Sequence, residues 1–273
     1  MKRVALGLIA LATAVFGQSA KKGEEAGMEQ IRVLPVARTP ESATVSVVIP
    51  IPAGNSVVKG NPVWMQLRVD GYPLATDSQF DRASELVDNN MGQTIHIVVD
   101  NMPYFAINGP AIDPFNEEGY FYDTSYKFEI PTRLPKGMHT LRVFPARSFG
   151  ESLKGEQTFF VTTFYLGSAD DSTHYDFSKP FLTYNEPSDY YRHVESKPVL
   201  LDFYISNCEL TPDGYKVRLT VDGKMHRTLT SWQPYYIYGL KRGKHTIRLE
   251  LIDRSNKVVP GSFNTIEQSI TIS

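Results

Sequence analysis

The sequence predicts an all-β fold with two tandem β-sandwich domains behind an N-terminal signal peptide. Three observations support this prediction: apolar and polar residues alternate with period two, turn residues separate the alternating runs, and the second half of the chain repeats the first. Aromatic residues make up 12% of the chain, which also has 18 Pro and 19 Gly, and this composition is typical of β-structure rich in turns.

The N-terminal segment has the pattern of a signal peptide. Lys2 and Arg3 precede an apolar run at residues 4–16, and small residues follow it. The run is shorter than the roughly 20 residues of a membrane span. We therefore assign residues 1–20 to a signal peptide, cleaved after Gly17 or Ala20, and residues 21–30 to a flexible leader. An apolar N-terminal strand is the alternative.

Export sets the expected compartment, which is periplasmic or extracellular, with no membrane span in the mature chain. The only cysteine is Cys208, so no internal disulfide forms, and its expected role is that of a small buried residue. The formal net charge is −2, and no basic cluster exceeds residues 241–244. These features give no indication of a nucleic-acid partner.

The two halves of the chain share several matched stretches. The matched pairs are residues 62–67 with 198–203, 95–100 with 217–222, 124–126 with 230–232, and 134–143 with 240–249. A rival match pairs residues 67–71 with 219–223. Because the offset between the copies shrinks along the chain, we infer two insertions in the first copy, within residues 77–90 and around residues 106–122.

The repeat sets the predicted domain boundaries. Residues 31–166 form domain 1, with residues 31–52 as its first strands, and residues 197–273 form domain 2. Residues 167–196 form a Tyr-rich linker between them, in which hydrophobic residues are too scattered for a core strand. In domain 2 the alternating runs and turns match the short strands expected in a sandwich.

Two stretches of the second copy carry a family resemblance. Residues 217–223 (VRLTVDG) and 240–261 (LKRGKHTIRLELIDRSNKVVPG) resemble the strand–turn–strand signature of bacterial immunoglobulin-like domains, found in surface and periplasmic proteins. The resemblance implies two tandem immunoglobulin-like sandwiches. It also implies adhesion, scaffolding or ligand binding rather than catalysis.

Candidate chemistry is sparse in the sequence. His139 and His245 are equivalent in the two copies, and we expect each to hydrogen-bond a nearby turn. No catalytic or zinc motif occurs, so we expect no enzyme activity, no cofactor and no metal. Acidic loops around Asp113 and Asp170 keep calcium open as an alternative.

An aromatic-rich segment offers a candidate ligand-binding surface. If residues 230–240 alternate as a strand, Trp232, Tyr236 and Tyr238 share one face, and Trp232 aligns with Tyr126 of the first copy. An exposed aromatic row can stack on sugar rings, whereas core or inter-domain packing is the alternative.

The predicted function is that of a non-enzymatic exported binding or scaffolding protein that engages a partner protein. The first alternative is a carbohydrate-binding module that uses the aromatic row. The second alternative is an unrecognised hydrolase, with Asp77, Asp113 and Glu117 in the insertions of the first copy. We expect a specific site where these insertions face the Tyr-rich linker.

Overall fold

The strands that the structure describes form four sheets. The computed structural model describes residues 30–41, 44–109, 125–169, 175–192 and 196–273. The predicted signal peptide, nearly all of the leader and most of the second insertion lie outside the described residues. Residues Ile31–Ser273 form one compact unit.

The described residues contain one short helix, α1 (Arg82–Glu85), and the following strands. They are β1 (Arg32–Pro35), β2 (Ser46–Ile51), β3 (Ser56–Val58), β4 (Trp64–Asp70), β5 (Thr94–Val99), β6 (Phe105–Ile107), β7 (Ser125–Glu129), β8 (Gly137–Ala146), β9 (Phe160–Leu166), β10 (Phe181–Glu186), β11 (Tyr190–Tyr191), β12 (Val199–Ser206), β13 (Lys216–Val221), β14 (Lys224–Leu229), β15 (Tyr235–Tyr238), β16 (Gly243–Ile252) and β17 (Thr265–Ile272). In the described part of the chain, no helix is long and apolar enough to cross a membrane.

The four sheets pack in two pairs, each around its own hydrophobic core. Sandwich 1 pairs the sheet β2-β4-β7 with the sheet β3-β9-β8-β5-β6, and Met65, Ile97 and Val143 lie in its core. Sandwich 2 pairs the sheet β1-β15-β12-β10 with the sheet β11-β17-β16-β13-β14, and Phe203 and Leu249 lie in its core. Alternation places these apolar side chains inward, as the sequence predicts.

Strand order identifies the architecture of both sandwiches. In the immunoglobulin fold the strands A, B and E lie in one sheet, and C, F and G lie in the other. Assigned in chain order, β2, β4 and β7 take the positions A, B and E in sandwich 1, as do β10, β12 and β15 in sandwich 2. The short strands β3 and β11 pair in parallel with the last strand of their sandwich. The predicted all-β, immunoglobulin-like fold is confirmed.

One strand lies in the opposite sandwich from the one that the sequence predicts. Arg32–Pro35 (β1) pairs with Tyr235–Tyr238 (β15), and Val33 is buried in the core of sandwich 2. The prediction that residues 31–52 begin domain 1 was therefore wrong for this segment. Alternation identifies a strand but not the sheet edge that it joins, and β1 covers an edge of β15 that would otherwise be unpaired.

The predicted linker also contains two strands of sandwich 2. Phe181–Glu186 (β10) pairs with β12, and Leu182 and Tyr184 lie in the core. The prediction that residues 167–196 hold no core strand was wrong because Thr183 and Asn185 made the segment look polar. These two side chains are buried too, on the opposite face of the sheet, where sandwich 1 covers them.

Strand pairing tests the register of the repeat. Residues 62–67 and 198–203 both lead into the B strand, and residues 95–100 and 217–222 both form the C strand, so the rival match of 67–71 with 219–223 is wrong. The match of Tyr126 with Trp232 is also wrong, by one residue. Phe128 lies opposite Met65, and Tyr235 lies opposite Leu201, which is the residue that matches Met65 in the second copy. Phe128 therefore matches Tyr235, and Tyr126 matches the residue after Trp232. Tyr126 packs against the core of sandwich 1. Trp232 precedes β15 and packs against both the core of sandwich 2 and the cluster between the sandwiches.

Candidate functional site

The two sandwiches contact each other through sheet faces. The outward face of β5 and β8 in sandwich 1 lies against the outward face of β10 and β12 in sandwich 2. Val98, Phe144 and Tyr204 are buried there, with the rings of Phe144 and Tyr204 centred 4.9 Å apart. The polar side chains beside this apolar contact are buried as well.

Buried polar side chains bridge the same interface. His96 Nδ1 lies 2.7 Å from the Oδ1 atom of Asn185, whose Nδ2 atom donates to Asp202 at 2.8 Å. Lys154 Nζ pairs with Asp202 Oδ1 at 2.5 Å, and Ser152 donates to the same carboxylate from its hydroxyl and its backbone N–H. Separating the sandwiches would leave these groups unpaired, so the network holds the sandwiches as one body.

Burial determines the charge of the bridging histidine. Desolvation lowers the pKa of His96 to about 4, against the opposing effect of its hydrogen bond to Asn185. His96 is therefore neutral at neutral pH. Because the Nδ2 atom of Asn185 donates to Gly150 and Asp202, its oxygen is the acceptor, and the Nδ1–H group of His96 is the donor.

The equivalent histidines bind the same turn in both sandwiches. His139 Nδ1 lies 2.8 Å from Asp100 Oδ2, and His245 Nδ1 lies 2.7 Å from Asp222 Oδ2. In each case the other ring nitrogen faces a backbone carbonyl, and the backbone N–H of the next threonine donates to the same aspartate. The prediction that these histidines bond a nearby turn is confirmed, and their role is structural.

The predicted aromatic row is covered by other residues. Tyr236 is only 5% exposed and donates from its hydroxyl to Glu85 Oε2 at 2.8 Å. The guanidinium group of Arg38 lies 4.5 Å from the centre of the Trp232 ring. Tyr238 is partly buried beside Tyr236, with their ring centres 6.3 Å apart.

The covering residues come from parts of the chain that the alternation of one strand does not reveal. Tyr236 and Tyr238 do share a face, but the first insertion and the segment after β1 lie over it. An exposed row of Trp232, Tyr236 and Tyr238 is therefore not formed, and packing is their role in the described part of the chain.

Other candidates from the sequence contribute little. Cys208 is half-buried against the core of sandwich 2, and burial raises the pKa of its thiol to about 11, as expected of a packing residue rather than a reactive thiol. Asp113, Glu117 and Asp170 lie outside the described residues. Asp77 is exposed in the first insertion.

A cleft opens where the first insertion meets the segment between β10 and β11. It encloses about 320 Å³, the lower end of the range for small-ligand sites. Asp88, Asn89 and Asn90 line one side, and Ser188 and Tyr190 line the other. The cleft therefore lies where the sequence led us to expect a site, between an insertion and the Tyr-rich segment.

A buried carboxyl group forms part of the cleft lining. Glu186 accepts hydrogen bonds from the Tyr104 hydroxyl at 2.5 Å and from the Ser188 backbone N–H at 3.1 Å. Burial raises the pKa of Glu186 to about 8, although both hydrogen bonds act to lower it. Glu186 is not among the predicted site residues, because it stands in a segment that the sequence pattern predicts to be a linker.

Sandwich 1 also has an exposed sheet face, formed by the outward residues of β2, β4 and β7, which we call the open face. Trp64 is 53% exposed on it, and Val48 and Ile51 are exposed on the neighbouring strand, opposite Arg68 and Gln66. Arg68 and Glu129 supply charges on the same face. The sequence contains a signal for this surface, which is a tryptophan at an outward position of an alternating strand.

No protein-family model and no curated protein matches the chain. Similar solved structures include fibronectin type III and immunoglobulin-like domain proteins. The fibronectin(III)-like modules of Clostridium thermocellum CbhA are 12% identical, over 83% of this chain and 94% of theirs, with a TM-score of 0.28.

Two further solved structures have similar scores. The tandem V-type regions of VCBP3, a v-region-containing chitin binding protein, are 10% identical over 84% of this chain and 99% of theirs, with a TM-score of 0.23. A Parabacteroides merdae β-glucuronidase is 7% identical over 85% of this chain but 25% of its own, with a TM-score of 0.25. Because these TM-scores are low, the fold is argued from strand order, and these likenesses carry no functional argument.

Proposed function

We propose that this protein is a non-enzymatic, exported binding protein of two tandem immunoglobulin-like domains, which engages a partner protein through the open face of sandwich 1. The apolar run at residues 4–16 supports export to the periplasm or the cell exterior. One observation supports the binding role. In the repeat, the open face of sandwich 1 corresponds to a face of sandwich 2 that is buried.

The equivalence follows from the matched B strands. Leu200 and Tyr204 of β12 are buried on the outward face of sandwich 2, under sandwich 1 or the first insertion. Trp64 and Arg68 occupy the same two positions on β4 and are exposed. One copy of this face therefore packs against another part of the same chain, while the other presents a large aromatic side chain to solvent. Tryptophan and arginine are enriched among residues that dominate binding energies.

In a second copy of this chain, the faces that correspond to the interface face of sandwich 1 do not offer an exposed apolar match for the open face. The face of sandwich 1 that packs on sandwich 2 is already covered. The equivalent face of sandwich 2 carries Arg218 and Arg248, and each of them pairs with Glu250 at 3.0 Å. The matching positions of sandwich 1 are His96, Arg142 and Phe144. Such a charged face resembles the polar outer face of a terminal repeat. We therefore propose a different protein as the partner.

Affinity capture from envelope extracts tests this function. Wild type and Trp64→Ala serve as baits, with Val57→Ala as the matched control, because Val57 is exposed on β3 in the other sheet of sandwich 1. We expect a protein retained by wild type and Val57→Ala and at least tenfold depleted with Trp64→Ala. Equal capture by all three baits, or a chain that captures no protein, would overturn the proposal, as would self-association that Trp64→Ala abolishes in sedimentation experiments.

A further inference from the structure

Glu186 presents a buried carboxyl group at the cleft. Glu186 is only 6% exposed. Each oxygen of its carboxyl group accepts one hydrogen bond, one from the Tyr104 hydroxyl and the other from the Ser188 backbone N–H. Two hydrogen-bond donors therefore face the carboxyl group, one at each oxygen.

The carboxyl group has no positive partner within the described residues. No Lys, Arg or His nitrogen there lies within 4.0 Å of Glu186. The nearby buried Asp202 differs, since Lys154 Nζ lies 2.5 Å from it. A buried carboxylate without a counter-ion is costly, so the site favours any cation that can enter the cleft.

The other lining residues define what kind of cation fits. Tyr104, Phe149, Tyr190 and Tyr191 line the cleft with aromatic rings, and Tyr190 is 67% exposed. Aromatic faces attract an ammonium group and also pack against an aliphatic chain. A volume of about 320 Å³ accommodates a lysine side chain but not a folded domain.

We propose that this cleft binds a lysine side chain of a peptide, with the ammonium group paired to the Glu186 carboxylate and the aliphatic chain against the aromatic lining. The site is separate from the open face and does not depend on the proposed partner binding there. Each oxygen of the Glu186 carboxylate already accepts one hydrogen bond. A compact ammonium group therefore fits this carboxylate better than the planar guanidinium group of arginine does.

The charges around Glu186 make the binding pH-dependent. Asp202 and Asp189 raise the pKa of Glu186, the Tyr104 and Ser188 hydrogen bonds lower it, and burial dominates. Asp88 and Arg192 also line the cleft. With a pKa of about 8, the empty site is mostly protonated at pH 7. Binding an ammonium group then releases close to one proton, and the affinity rises as pH approaches 8.

Isothermal titration calorimetry of the purified protein tests this site. The probe is Nα-acetyl-lysine methylamide, and the neutral control is Nα-acetyl-norleucine methylamide. We expect at least tenfold weaker binding of norleucine, and an affinity for lysine that rises severalfold from pH 7 to pH 8. Titrations at pH 7 in phosphate and in Tris, which differ in ionisation enthalpy, should report the released proton. Equal binding of both compounds, or no binding at millimolar concentration, would overturn the proposal.

Two further comparisons define the source of the ammonium group and the role of Glu186. We expect n-butylammonium to bind at least tenfold more weakly than the lysine compound, and equal affinity would overturn the assignment to a peptide. Glu186→Gln should lose the proton release and bind lysine at least tenfold more weakly, whereas Glu156→Gln, at an exposed site, should behave as wild type. Proton release retained by Glu186→Gln would contradict the proposal, and if that variant fails to fold, the wild-type comparison of lysine with norleucine still decides.

Discussion

The Nδ1 atom of His96 lies 2.7 Å from the Oδ1 atom of Asn185, and this hydrogen bond joins β5 of sandwich 1 to β10 of sandwich 2. The His96 ring also stacks on Tyr104, with ring centres 3.7 Å apart. Both partners hold the imidazole in a buried site. The contact therefore couples the ionisation of one histidine to the stability of the interface between the sandwiches.

We expect acid to weaken the protein through His96. Burial lowers the pKa of His96 to about 4, so its contribution to stability is present above the unfolded pKa of about 6.5 and is lost as pH falls toward 4. The loss is up to about 1.4 kcal/mol per pH unit. Urea unfolding at pH 7, 6 and 5 measures it.

His96→Phe supplies the comparison for this titration. The variant should be less stable than wild type at pH 7 by about 1–3 kcal/mol, because Asn185 loses its donor. The difference between the two proteins should shrink as pH falls, since the variant has no imidazole to protonate. A difference that stays constant from pH 7 to pH 5 would contradict the assignment of a neutral buried His96.

The buried ion pair of Lys154 and Asp202 gives a second prediction. Lys154→Met should destabilise the protein by about 3–5 kcal/mol, because it leaves a buried carboxylate without its cation. Lys154→Met combined with Asp202→Leu should recover part of that loss. Chemical denaturation of the single and double variants measures the coupling. A cost below about 1 kcal/mol for Lys154→Met would show that the pair is not desolvated.

These buried polar residues also mark the limit of what the sequence could predict. Alternation correctly placed Phe203 and Leu249 inward, and the repeat correctly matched the B and C strands, because both signals are local. The same alternation placed Asp202 outward, which is correct for its own sandwich. A sequence pattern does not indicate that a second sandwich covers that face, because the packing of the two sandwiches is a long-range relationship.

The N-terminal strand shows the same limit and gives a third prediction. Val33→Asp places a charge in the core of sandwich 2, so β1 should detach from β15. Hydrogen exchange should then increase at the β15 amides. Leu34→Asp is the matched control, because Leu34 is exposed on the same strand. Equal protection of β15 in both variants would contradict the placement of β1 in sandwich 2.

The two histidine–aspartate contacts give a fourth prediction. Burial acts to raise the pKa of Asp222, but hydrogen bonds from His245 and Thr246 outweigh it, and the pKa is lowered. The stabilisation is therefore present above the unfolded pKa of about 3.9 and is lost as pH falls through the lower folded pKa.

The two copies should differ in the size of this effect. Asp222→Asn should cost about 0.5–1 kcal/mol, since the contact is partly exposed and screened. Asp100→Asn should cost more, because its partner His139 is more deeply buried than His245. Urea unfolding at pH 7 gives both values. A larger cost for Asp222→Asn would contradict this order.

Site-specific photocrosslinking at the open face tests the central proposal most directly. A benzophenone side chain in place of Glu129, which lies opposite Trp64 on the open face, should give one dominant adduct with a different protein when it is introduced in the producing cells. The same side chain in place of Val57 or Thr220, on faces assigned no partner, should give none. Adducts of equal yield at all three positions, or no adduct at position 129, would contradict binding through the open face.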